Sequence, residues 1–230
     1  MNFSQLLNSI DELLYEVMSW LVFYPITLWR VLTRPLTTME YADDELGERE
    51  EEQYTDTLSP PLFLLISLLI SHGIALALVG DSGLIDQKTG LAMLVTDDTA
   101  LLIMRLLLFS LFPLIFATRL LGRRKRPLTR KSLKLPFYSQ CYAAAPFALA
   151  VGLAATLHTY HHDSTAPAAA IIATVAILWF VIVQSRWYAS MLRSGFGRGF
   201  LQALISFGLS AFLFVAVGLL IIGLPALGSH

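Results

Sequence analysis

Five long runs almost free of charge, separated by short charged segments, constrain this chain more than any other feature. They cover residues 57–80, 99–118, 135–157, 164–185 and 199–227. A helix needs about 20 apolar residues to cross the hydrocarbon of a bilayer, so each run is long enough for one crossing. The charged fraction is 14%, against roughly 25% in ordinary soluble domains, and 56% of residues are hydrophobic. The expected fold class is all-α: a polytopic membrane protein of about five transmembrane helices, preceded by an amphipathic interfacial arm.

The basic residues orient the spans. Between the second and third runs lie Arg119, Arg123, Arg124, Lys125, Arg126, Arg130, Lys131 and Lys134. Arg186, Arg193 and Arg198 follow the fourth run, and Arg30, Arg34 and Arg49 precede the first. The opposite loops carry Lys88 alone. Lysine and arginine are retained on the cytoplasmic side, so the N-terminus is expected inside and the C-terminus outside, in a bacterial inner membrane. Beyond fixing topology, Arg123, Arg124, Lys125 and Arg126 are expected to attract lipid headgroups.

Residues 1–36 form the arm. Leu6, Leu7, Ile10, Leu13, Leu14, Val17, Met18 and Leu21 recur at helical spacing, and Trp20, Phe23, Tyr24 and Trp29 favour the membrane–water boundary. Residues 17–29 would make a short sixth crossing interrupted by Pro25, and an interfacial helix is the preferred reading. No basic region followed by an apolar core opens the chain, so no cleavable signal is expected. Residues 37–58 are densely acidic and read as a cytoplasmic linker or short surface helix. Ser59-Pro60-Pro61 suits the start of the helical domain, residues 59–230, with Ser59 as cap.

Arg105 is the one basic residue that topology leaves unexplained. A charge inside a span is costly unless paired or hydrated, which makes it a functional candidate. From residue 99 it lies about 9 Å deep, and His72, counted back from residue 80, lies about 12 Å deep. His72 and Ser71 would share its level, forming an outward-facing site for an anionic substrate or headgroup. The alternative is an arginine snorkelling to the interface near Asp97 and Asp98. Pro113 and Pro146 free the carbonyls of Phe109 and Tyr142, as kinks in transporters do and as ordinary membrane helices also tolerate. Ala148 with Gly152, Ala169 with Ala173, and Ser206 with Ser210 have the spacing of close helix contacts.

His158, His161 and His162 stand in the string HTYHHD. It resembles one histidine box of membrane desaturases, but that family needs three boxes on the cytoplasmic side. This chain has five histidines in all, and the string is expected outside, so only weak zinc binding remains. The glycines 195, 197 and 199 fit no phosphate-binding fingerprint. One cysteine, Cys141, excludes an intrachain disulfide, and a net charge of −1 gives no reason to expect nucleic acid as a partner.

Phe23-Tyr24-Pro25 through Trp29-Arg30, followed by Leu58-Ser59-Pro60-Pro61-Leu62-Phe63, resembles the bacterial branch of the Yip1-like five-helix membrane proteins. There a short arm with a proline and aromatics precedes a proline-started first span. The D-L-Y-G-P motif of eukaryotic members is missing here. The resemblance implies trafficking- or permease-like roles. The residues themselves suggest a small permease- or channel-like component, as a homo-oligomer or with a partner membrane protein. The alternative is a non-catalytic scaffold or accessory subunit that binds a partner through the arm. A membrane metalloenzyme is the least favoured reading; no cofactor is expected.

Overall fold

A computed structural model describes residues 3–49, 52–80, 98–160 and 162–222. Among these, seven α-helices and no strand occur: α1 Phe3–Thr33, α2 Pro35–Glu45, α3 Pro60–Val79, α4 Asp98–Arg123, α5 Arg130–Tyr160, α6 His162–Met191 and α7 Phe196–Ile222. The last five are long and apolar enough to cross a bilayer, and they overlap the five uncharged runs. The chain is therefore a multi-pass helical membrane protein.

Helices α4, α5, α6 and α7 close into a four-helix ring, and α3 packs on the other side of α5. The turns at 124–129 and 192–195 are short, which makes consecutive helices antiparallel. Contacts at Thr57–Tyr142 and Ser71–Gly152 advance together along α3 and α5, so those two run parallel. Helix α5 is the hub, touching α2, α3, α4 and α6. Its residues from Ser139 to Ala148 are all buried, four of them alanines, and their small side chains admit neighbours on every side.

Aromatic side chains fill the ring. Phe109, Phe112 and Phe116 sit three and four residues apart, hence on one face of α4. They meet Phe147 of α5, Phe180 of α6, and Phe207 and Phe214 of α7. Phe147 and Phe180 stack with centroids 4.5 Å apart. Outward, α6 shows Ile171, Val175, Leu178 and Ile182, and α7 shows Leu201, Leu209, Phe212 and Leu219. Buried groups include Gln140, Gln184, Ser206, Tyr188 and His72. Apolar outside with polar pairs inside is the arrangement a hydrocarbon solvent selects.

A glycine lies where α3 meets α5. A Cβ at residue 152 would stand 1.9 Å from Ser71 Oγ. Ala148, Ser206 and Ser210 are fully buried, so these spacing-matched residues pack within the chain. Helices α4 and α5 continue through Pro113 and Pro146, both buried. Pro60 does open α3, but the Ser59 side chain makes no capping bond; the Ser59 carbonyl accepts from Phe63 N–H at 2.9 Å instead.

Of the linker or short surface helix expected over 37–58, residues 37–45 lie in helix α2. Thr38, Met39, Ala42 and Glu45 form one buried stripe of α2, docked on α5 and α6. Charge counting hides this stripe because Glu40 and Asp44 of the same helix are exposed. Helix α1 runs unbroken through Pro25 and is not among the five apolar spans.

Candidate functional sites at the two ends of the bundle

At the end away from the basic turns, Arg105 of α4 reaches α3. Its Nη1 lies 3.3 Å from His72 Nδ1. A guanidinium has only donors, so Nδ1 accepts and a neutral His72 carries its proton on Nε2. His72 is buried and Arg105 half-buried. Two residues 33 apart in sequence thus meet between α3 and α4. Ser71 is buried too, but it turns toward α5 and Gly152. The pair leaves most guanidinium donors for another group, and it lies between α3 and α4, which touch lightly. Asp97 lies outside the described residues, and Asp98 begins α4 with no side-chain placement described.

Of the three clustered histidines, His158 is exposed near the end of α5, His161 lies outside the described residues, and His162 opens α6. Among the described residues no group of three His, Cys, Asp or Glu side chains is placed to hold a metal.

The basic end is more elaborate. The segment preceding α3 is held by hydrogen bonds from three helices. Arg30 of α1 pairs with Asp56 at 2.7 Å, and the Tyr41 hydroxyl of α2 donates to the same carboxylate at 2.6 Å. Leu58 N–H donates to Thr27 Oγ1 at 3.1 Å, and the Tyr142 hydroxyl of α5 donates to Leu58 O at 2.8 Å. Glu45, buried at the end of α2, accepts from Tyr54 N–H. Partial burial raises the Asp56 carboxyl, but the bonds from Tyr41 and Arg30 outweigh it and hold the group below its ordinary pKa. Burial, then the bond to Asp56, push the Tyr41 phenol far up, so it stays a donor. None of these partners follows a sequence motif.

The expected headgroup residues Arg123, Arg124, Lys125 and Arg126 are exposed. Arg124 donates through Nε and Nη2 to Met191 O, at 3.0 and 2.6 Å, capping the C-terminus of α6. Arg119, grouped with the basic turn by sequence, is instead inside α4. Its Nε donates to Ser206 Oγ at 2.8 Å and its Nη2 to Gln202 Oε1 at 3.1 Å. Ser206 also shares a 2.8 Å bond with the Tyr188 hydroxyl, linking α4, α6 and α7. Gln140 and Gln184 exchange two amide bonds of 3.0 and 2.5 Å in the buried α5–α6 seam.

Compared with known proteins, the chain matches no family model, no curated protein and no solved structure.

Proposed function

We propose that this protein is a non-catalytic accessory or scaffold subunit of the cell membrane, with its basic end cytoplasmic, that engages a partner through α1. The observation that carries the reading is the face of α1. Leu13, Leu14, Val17, Met18, Leu21 and Val22 form one helical stripe and are all exposed, between 41% and 68%. The following turns of the same helix are fixed to the bundle by Thr27 and Arg30. A rigidly mounted, unpartnered apolar stripe suits a partner helix or a second copy of the chain. The phenylalanine-filled ring supports the same reading, since it leaves little polar lining for conduction.

Photo-crosslinkers at Leu14 and Met18 in intact membranes test it. The expected result is a discrete protein adduct whose mass distinguishes a second copy from another chain, lost in L21E. Adducts with lipid alone would show that α1 is an interfacial helix and would refute the partner reading.

A second reading rests on Arg105 meeting His72. A small permease would use that pair to hold an anion at mid-depth, and kinship with the Yip1-like proteins would accord with it. Proteoliposomes that take up anions in a manner abolished by R105Q would support transport, whereas tight vesicles would favour the scaffold.

A further inference from the structure

A second cluster, at the basic end, is not accounted for by either reading. A cavity of about 40 Å³ opens among the ends of α2, α4, α5 and α6, lined by Asp43, Arg124, Arg126, Leu135, Trp187 and Met191 among others. That space holds about three waters. Trp187 forms part of the wall and is 2% exposed; its indole N–H is enclosed and has no hydrogen-bond acceptor among the described residues. Asp43 and Arg124 face the same space without forming an ion pair; among the described residues the one ion pair is Arg30–Asp56. Asp43 receives the Ser139 hydroxyl at 2.5 Å on Oδ1, which leaves Oδ2 to accept from a ligand. Arg124 spends Nε and Nη2 on Met191 and keeps Nη1.

Two kinds of group therefore converge: cationic donors and a carboxylate acceptor. The cavity lies at the ends of three spans, the depth of lipid headgroups. Leu135, 42% exposed, gives its mouth an apolar side along which a chain could run. With Asp43 ionised, two arginines leave one net positive charge, matching a phosphodiester monoanion. We propose that the headgroup of a phospholipid seats at the mouth of this cavity, the phosphodiester accepting from Arg124 and Arg126, and a terminal ammonium or hydroxyl donating to Asp43.

The inference depends on the five-span architecture and not on the scaffold or permease reading. Ethanolamine and glycerol headgroups supply the terminal donor; choline, with three methyl groups on its nitrogen, does not. The test uses the purified full chain in detergent, with phosphatidylethanolamine, phosphatidylglycerol and phosphatidylcholine of equal chain length, and tail-free glycerophosphoethanolamine. Native mass spectrometry reads the adducts. Retention of the first two lipids is expected to exceed phosphatidylcholine about tenfold, the worth of one charge-assisted hydrogen bond. D43N should erase that preference, and R126Q should lower retention of all three about tenfold. Arg126 is exposed, so R126Q tests the site without disturbing the core. Tail-free headgroup bound as tightly as the lipids would reassign the site to a soluble phosphodiester and overturn the lipid proposal. Retention that ignores headgroup chemistry and survives D43N and R126Q would leave water as the occupant and overturn it too.

Discussion

Single side chains decide how closely these helices approach. Gly152 and Ser71 leave no room between them, and a methyl at 152 would sit 1.9 Å from Ser71 Oγ. G152A should therefore destabilise the protein by about 1–3 kcal/mol, the ordinary cost of overpacking. Adding S71A, which removes the clashing oxygen, should recover most of the loss. Unfolding of the single and double variants in detergent measures this, and simple additivity would contradict it. Tyr142 is the residue on which the start of α3 depends, through Leu58 O at 2.8 Å and Thr57 at 3.2 Å. Y142F should cost about 1–2 kcal/mol by leaving those buried groups unsatisfied. Asp56 gives the pH dependence. Its carboxyl ionises below its ordinary pKa in the fold, so its contribution is fully present above the unfolded pKa and lost as pH falls through the folded one. Acid should therefore weaken the wild type more than D56N, as followed by unfolding between neutral pH and pH 3. Arg105 and His72 could be placed together from the sequence by counting residues along two antiparallel spans. Tyr142, Thr27 and Asp56 could not, because their meeting depends on where α1 and α2 fold back.

Helix ends show how local geometry sets element length. The closing turns of α4 and α6 place Lys125 and Arg193 at φ 52° and 47°, where side chains other than glycine are strained. Arg126 N–H to Leu121 O at 3.0 Å, and Ser194 N–H to Ala189 O at 3.0 Å, are the six-to-one bonds of Schellman caps. Substituting glycine at each site should stabilise the fold by up to about 1 kcal/mol, read as a rise in the unfolding midpoint. Helix α5 begins with a reciprocal pair: Thr129 N–H donates to Ser132 Oγ and Ser132 N–H to Thr129 Oγ1, at 3.0 and 3.1 Å. These signals extend the spans past the uncharged runs, so α4 carries Arg119 and Arg123 and α5 carries Arg130 and Lys131. Hydropathy located the middle of each span and undershot both ends of α4, α5 and α6, whereas the run at 57–80 contains the whole of α3. A helix ends where its backbone groups are capped, not where the hydrocarbon does.

Across the whole molecule, charge and packing divide the work. The fourteen basic residues beside the expected cytoplasmic loops give an orientation that labelling can check. Single cysteines at residues 3 and 126, in a C141A background, should both be shielded from an impermeant reagent outside intact cells. Labelling of residue 3 alone would make α1 a sixth crossing. The exposed apolar faces of α6 and α7 and the phenylalanine ring together yield a bundle held by shape, with Gln140–Gln184 and Arg119–Ser206–Tyr188 fixing its register.

The sequence by itself determined the class, the number of apolar spans and the common depth of Arg105 and His72. Those follow from the thickness of a bilayer and the rise of a helix, which are the same in every membrane protein. Tertiary structure decided the rest. It turned the acidic stretch into a docked helix, drew Arg119 inside and gathered Asp43, Arg124 and Trp187 around one cavity. Such meetings depend on which helix faces which, and no periodicity along a chain records that.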